Sequence, residues 1–403
     1  MRTTTRTEPR YRRVVAAGLG GVMLLAVVSC GRDDGSGGAK AGGSSDKIVL
    51  ISDLSGAYSG VSSPGAAAAE MAVSTINASG GIAGRKLDLD VIDSQSSPGS
   101  ALAAAHKAIV ANPLAVVMLS GSAGASSITS LVQSARIPLL SPALSDSSLY
   151  PAQPYLFQPS LTAQQDAEAL YQFVKQRFQG TLTGKRVDVA AINSPYVDAI
   201  IKRASTLVSS AGGKMGSVER YDVPLASFST QAGTIARDKP DAVLTLGSTD
   251  DSVVVAKALT AAGVTALQVG IPSGAGQPTL QQIGSARYYA LTANPYPSAL
   301  PGFLDVAKKY GKQTKVSGSI FSMSGWVAVY TLAQAIKQCG ADCTGATLNS
   351  ALEHISDFTV PEGASYGPVT FTTSSHVAVR TVRFHNYDPA TGAFSQSAPI
   401  TVS

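Results

Sequence analysis

The chain has 403 residues, 44% of them hydrophobic, and a formal charge of +5 from 31 basic and 26 acidic side chains. That is enough apolar sequence to fill the cores of two lobes. The charge does not point to nucleic acid: Arg2, Arg6, Arg10, Arg12 and Arg13 against Glu8 put +4 into the first 29 residues, leaving 26 basic and 25 acidic side chains elsewhere and no basic patch.

The Arg-rich start runs into Val14–Val28, fifteen residues without a charge. That is shorter than the ~20 residues a membrane-spanning helix needs, so residues 1–29 read as an export signal. Val27-Val28-Ser29-Cys30 resembles the bacterial lipobox, in which the Cys sulfur is acylated and the chain is cut just before it. Cys30 is then the expected lipidation site; an ordinary signal peptide with an incidental Cys is the alternative. Arg12-Arg13 leaves the export route, Sec or twin-arginine, open. Residues 30–46 are mainly Gly, Ser, Ala and Asp and read as a flexible tether of ~20–24 Å end to end. With Cys30 lipidated, Cys339 and Cys343 remain as an even pair. An oxidising compartment favours a disulfide between them; two free thiols or half a zinc site are the alternatives, the latter without a second Cys pair or nearby His.

Lys47–Ile51 is a short apolar run closed by Ser52 and Asp53, which suits a buried parallel strand. A polar loop over Ser55–Gly65 is expected next. Ala69, Ala72, Val73 and Ile76 then fall at i, i+3, i+4 and i+7 on one helix face, and Gly80-Gly81 ends that helix. Leu87, Leu89 and Val91 alternate with polar neighbours as a second strand. The string I-N-A-S-G-G-I-A-G-R-K-L from Ile76 to Leu87, with S-G in the first loop and Asp93 closing the unit, resembles the leucine/isoleucine/valine-binding type of periplasmic binding protein. These are solute receptors of ABC importers.

The resemblance implies an α/β fold of two lobes, each a parallel sheet flanked by helices, with three crossovers near Pro159, Asn294 and Asp357. It puts 47–160 plus 293–357 in lobe I and 161–292 plus 358–403 in lobe II. It implies a monomeric, lipid-anchored receptor on the extracytoplasmic face of a bacterial membrane. The receptor captures a small polar solute (amino acid, amide or carboxylate) by lobe closure and delivers it to an ABC permease. No enzyme activity and no cofactor are implied. A sensing receptor for a membrane signalling partner would share fold and site.

Further along, Ser97-Pro98 supplies an N-cap and first-turn proline for a helix through Leu102, Ala105 and Ile109. Residues 115–119 read as a buried strand, Ser120–Ser126 as a loop into a helix ending near Ala135, and Ile137–Leu140 as a fourth strand. Helices are expected at 164–178, 196–210, 229–237, 251–262, 301–311 and 320–338, and strands at 186–193, 241–246 and 267–271. The helix over 320–338 is amphipathic through Trp326, Val329, Tyr330, Ala333 and Ile336. Alternation over Val379–Phe384 and the turn Asp388–Gly392 predict a terminal hairpin. Strand–helix alternation by itself calls for parallel sheets covered by helices.

In such sheets ligands bind beyond the carboxyl ends of the strands. The loops in question are Ser52–Pro64, Ser120–Ser126, Ser141–Ser148, Asn193–Tyr196, Gly247–Asp251 and Pro272–Gln277. Their Ser and Gly content suits an oxygen-rich group held at helix N-termini, though the same residues are ordinary caps and turns. The resemblance carries a carboxylate-binding role onto Ser122 and the Leu144-Ser145 pair of lobe I, and a ligand-covering aromatic onto Tyr196 of lobe II. Ser273 stands where amino-acid binders of the family have an acid for the ammonium group. Ser248 stands where an aromatic is usual, and Tyr58 replaces a first-loop aromatic, with Val61 at its expected position. Asp250 and Asp251 are the candidate substitutes for the lost acid, or else helix caps. On this reading, solutes without an ammonium group are favoured. The chain has no G-x-S-x-G, H-E-x-x-H or Walker A string, no metal spacing among its four His, and no G-x-G-x-x-G after the first strand.

Overall fold

The computed structural model describes residues 45–403. Cys30, the export signal and nearly all of the expected tether lie outside the described residues. Strand β1 (Ser45–Ser52) begins two residues before the expected start of the body, since Ser45 and Asp46 already pair with Lys86 and Leu87 of β2 (Lys86–Asp93). An ion pair locks that edge: Arg85 Nε lies 3.0 Å from Asp46 Oδ2, and Arg85 Nη2 donates to Gly340 O at 2.9 Å.

Helix α1 (Ser59–Ala78) also starts early, taking in most of the segment expected as loop, from Ser59 to Gly65. It runs through Pro64, which removes only the bond to the Gly60 carbonyl, in the first turns rather than mid-helix. Gly80 (φ +103°) and Gly81 (φ +79°) end the helix as expected. Then come α2 (Pro98–Val110), β3 (Ala115–Leu119), α3 (Ser122–Ala135), β4 (Leu139–Leu140), the short α4 (Asp146–Leu149) and β5 (Leu156–Phe157). The buried face of α2 is Ala101, Ala104, Ala105 and Ala108, and Leu102, expected on it, is 38% exposed. Four small residues let α2 approach its neighbours closely, which a Leu on that face would prevent. The first sheet, β2-β1-β3-β4-β5, is parallel throughout.

The second half comprises α5 (Ala163–Arg177), β6 (Arg186–Ile192), α6 (Pro195–Ser210), β7 (Lys214–Tyr221), α7 (Ser229–Asp238), β8 (Ala242–Leu246), α8 (Thr249–Ala261), β9 (Leu267–Gly270), α9 (Gln277–Ile283) and β10 (Tyr288–Thr292). After these come α10 (Pro301–Lys309), α11 (Gln313–Val316), α12 (Ser322–Cys339), α13 (Gly345–Leu352), β11 (Thr381–Asp388), β12 (Ala393–Gln396) and β13 (Ile400–Thr401). The second sheet is ordered β12-β11-β10-β9-β8-β6-β7 and is parallel from β10 to β7. β11 and β12 form the expected antiparallel hairpin on its edge. The periodicity did not announce β5, β7, β10 or α9. β7 is an edge strand with only Tyr221 buried, so it needs no apolar run, and β5 has two residues, too few to show a period.

Helix α12 packs on α1 beside the first sheet. Its Gly325 meets the α1 backbone so closely that a Cβ there would lie 1.9 Å from Gly65 O. Trp326 beside it is fully buried, donates from Nε1 to Pro361 O at 3.2 Å and sets its ring edge-on to Phe303. Cys339 and Cys343 form a disulfide at the end of this helix. Between the sheets the chain segments brace one another: Gln158 N–H donates to His376 O at 2.8 Å and Ala378 N–H to Gln158 O at 3.1 Å. Among the described residues no helix is long and apolar enough to cross a membrane.

Candidate ligand-binding site

The loops at the carboxyl ends of β1, β2 and β3 converge on one buried carboxylate. Asp53, fully buried, accepts from Ser94 Oγ at 2.6 Å, Ser96 N at 3.0 Å, Ser120 Oγ at 2.9 Å and Gly121 N at 3.2 Å. Asp93 ties down the outer part of the first loop, accepting from Leu54 N at 3.0 Å and Ser55 Oγ at 2.6 Å. Ser96 Oγ in turn accepts from Tyr58 N at 2.9 Å. The Tyr58 ring lies against Gly121, where a Cβ would come within 3.2 Å of it. One wall is thereby held rigidly from three loops before any ligand arrives.

Between this wall and the carboxyl ends of β6, β8 and β9 lies a cavity of about 270 Å³. Its surface is largely apolar, with Val61, Leu119, Leu161, Ile192, Ile271 and Phe321 prominent, and its polar groups are mostly hydroxyls of Ser and Thr. Among the described residues no Lys or Arg lines it, and Asp166 is its one acidic lining residue. Three of the long helices that begin at it do so with a lining serine: α3 at Ser122, α6 with Ser194 as N-cap, and α8 with Ser248 as N-cap. Their unpaired N–H groups and positive dipole ends favour an anionic or oxygen-rich group.

Of the residues singled out above, Tyr58, Ser122, Tyr196, Ser248 and Ser273 line the cavity, while Leu144 and Ser145 do not. The Leu144 side chain is in the core at 1% exposure and its N–H donates to Gln158 Oε1 at 2.9 Å. Ser145 Oγ lies 3.0 Å from both Ser147 Oγ and Ser148 Oγ. That loop turns Pro142 and Ala143 to the cavity instead, because Gln158 holds Leu144 inward. Ser248 Oγ donates to Asp251 Oδ2 and Ser273 Oγ to Gly247 O, so both hydroxyls already have acceptors. Asp251 also accepts from Leu225 N at 2.9 Å, and Asp250 is exposed; neither lines the cavity, and both stand in the first turn of α8.

The acid that does line the cavity is Asp166, in the first turn of α5. It is 1% exposed, and burial pushes its carboxyl up to about 7, the hydrogen bond from Tyr196 opposing the rise. Tyr196 Oη donates to Asp166 Oδ2 at 2.9 Å. Burial, and then the neighbouring carboxyl, hold the Tyr196 hydroxyl protonated well above its ordinary range. Nothing local marked Asp166 in the sequence, since an acid in the first turn of a helix is an ordinary dipole partner. Thr292–Asn294 line the cavity from the end of β10 onward, and Ile320, Phe321 and Ser324 from just before and at the start of α12. They too carried no motif.

The sequence profile of a family described as periplasmic binding protein matches residues 46–393. No curated protein matches the chain. Among solved structures, a branched-chain amino acid ABC transporter protein from Thermus thermophilus with bound valine is 16% identical, with a TM-score of 0.80 over 90% of this chain and 98% of that one. A branched-chain amino acid transporter substrate-binding protein from Streptococcus pneumoniae in complex with isoleucine is 21% identical, with a TM-score of 0.73 over 89% and 99%. A solute-binding protein of an ABC transporter from R. palustris in complex with benzoate is 17% identical, with a TM-score of 0.74 over 89% and 97%. At these identities the likeness is one of fold.

Proposed function

From the premise that the chain belongs to the periplasmic binding protein family, we propose that it is the extracytoplasmic receptor of an ABC importer. It binds one small solute between lobe I (47–160 plus 293–357) and lobe II (161–292 plus 358–403) and hands it to the permease without chemical change. The observation that carries this reading is the 270 Å³ cavity, apolar in its walls, hydroxyl-rich at three helix starts and lined from both sheets. Such a cavity suits a solute with an apolar body and one carboxylate or other oxygen-rich end. Ser122 and the unpaired N–H groups of the first turn of α3 are the groups for that end, and Tyr58 and Tyr196 flank the body. The valine, isoleucine and benzoate of the three structural relatives share this plan of apolar body and carboxylate.

Attachment through a diacylglyceryl group on Cys30 completes the proposal, with the receptor acting as a monomer tethered to the outer face of the membrane. Cys30→Ala releases the protein or blocks its processing; an intact mass without the lipid refutes the anchor. For the solute, a thermal-shift screen of small carboxylates, amides and amino acids decides. A ligand at a hundredfold excess over its dissociation constant stabilises the folded state by ~2.7 kcal/mol. No shift with any member of the panel overturns the reading.

A further inference from the structure

Asp166 is buried in a cleft that offers it half of what a carboxylate needs. Oδ2 accepts from Tyr196, but Oδ1 is buried with no hydrogen-bond partner among the described residues. Among the described residues no lining cation compensates its charge. The other titratable groups around the pair add none: Asp146 of α4 and Tyr150 act on Tyr196 as acids. Arg380 and Glu168 are felt at Tyr150, whose hydroxyl lies 3.2 Å from Thr162 Oγ1. A buried acceptor without a donor costs free energy, of the kind proteins retain where a ligand or reaction repays it.

We propose that Asp166 sets the specificity of the cleft by accepting, at Oδ1, a hydrogen bond from the solute. The ligand is then an acid that also carries an amine or hydroxyl donor, not a bare carboxylate. This deepens the receptor reading above and rests on it. Tyr196 is the positioning partner: by donating to Oδ2 it fixes the carboxyl plane and leaves Oδ1 for the solute. The acid that Ser273 replaces, for which the sequence offers Asp250 and Asp251 as candidate substitutes, is thus supplied from a different element, helix α5. Discrimination of this kind is strong because a solute without the donor leaves a buried acceptor unpaired in the closed cleft.

The test is calorimetric titration of the full chain at pH 8.5, where the Asp166 carboxyl is ionised and Oδ1 can accept, with two matched sets of probes. Leucine, 2-hydroxy-4-methylpentanoate and 4-methylpentanoate differ only at the carbon beside the acid. 4-Hydroxybenzoate and benzoate differ only at the far end. In the native protein a donor-bearing member of at least one set binds tenfold or more tighter than its bare acid. Asp166→Ala abolishes that ratio, Asp166→Asn retains part of it for the hydroxyl probes, and Tyr196→Phe lowers it, because the carboxyl loses the bond that fixes its plane. Bare acids binding as tightly as their donor-bearing partners overturns the proposal while leaving the receptor reading intact. So does a ratio that survives Asp166→Ala with every probe weakened equally, the signature of a purely structural role. Failure of every probe to bind overturns both. Should Asp166→Ala not fold, the native ratio and Asp166→Asn still decide.

Discussion

Asp166→Asn should stabilise the unliganded protein at alkaline pH, and the size of the effect can be worked from the site. The folded carboxyl titrates at about 7 because it is buried, against ~3.9 in the unfolded chain. Between those values the folded protein holds a proton that the unfolded chain has released. Stability therefore falls as pH rises through this window, and the loss is complete above about pH 8. Roughly three pH units correspond to about 4 kcal/mol. Asn has the same shape, can still accept from Tyr196 and stays neutral throughout. Its buried amide brings a cost of about 1–3 kcal/mol that does not vary with pH. The pH-dependent part is therefore the clean signal. Urea unfolding followed by far-UV circular dichroism at pH 4.5 and 8.5 should show the variant gaining about 3 kcal/mol on the native protein between the two, since the unfolded carboxyl is already largely ionised at pH 4.5. A difference that stays constant with pH within about 1 kcal/mol would mean that Asp166 ionises as an ordinary carboxyl, and the description of the site as a cation-free cleft would be wrong.

Gly325→Ala should destabilise by about 1–3 kcal/mol through overpacking, because the new Cβ would sit 1.9 Å from the Gly65 carbonyl oxygen, a backbone atom that moves only with helix α1. It should also weaken ligand binding, since Phe321 and Ser324 carry the start of α12 to the cleft; an unchanged melting temperature refutes the close helix contact. His385 is 4% exposed, and burial, then Arg383, depress its titration to about 4. The unfolded chain takes up that proton near 6.5. Stability present at pH 7 is therefore lost as pH falls toward 4, by about 3 kcal/mol. His385→Gln should flatten this part of the pH–stability curve; identical curves for variant and native protein refute the burial of a neutral imidazole.

Much of the fold is legible along the chain because it depends on near neighbours in sequence. The apolar run of β3, the alternation of β2 and the left-handed glycines after α1 each answer to backbone geometry within a few residues. The hairpin turn at Asp388–Gly392 does too, with Gly392 at φ +69°. Five of the seven expected ligand residues, Tyr58, Ser122, Tyr196, Ser248 and Ser273, sit in loops that must emerge at the carboxyl ends of strands, and all five line the cavity.

What tertiary structure decided is which side chains in those loops face inward, and which groups from elsewhere join them. Leu144 is turned into the core by Gln158, fourteen positions away. α2 packs on its alanines rather than on Leu102 because the helices there come close. Above all, Asp166 reads locally as a helix-start acid. It becomes a buried, cation-free carboxyl only when α6 lays Tyr196 against it, thirty residues on, and the cleft closes over both. The free energy of a charge depends on everything within several ångströms of it, and in a site assembled from discontinuous segments that surrounding is a property of the fold rather than of any stretch of sequence.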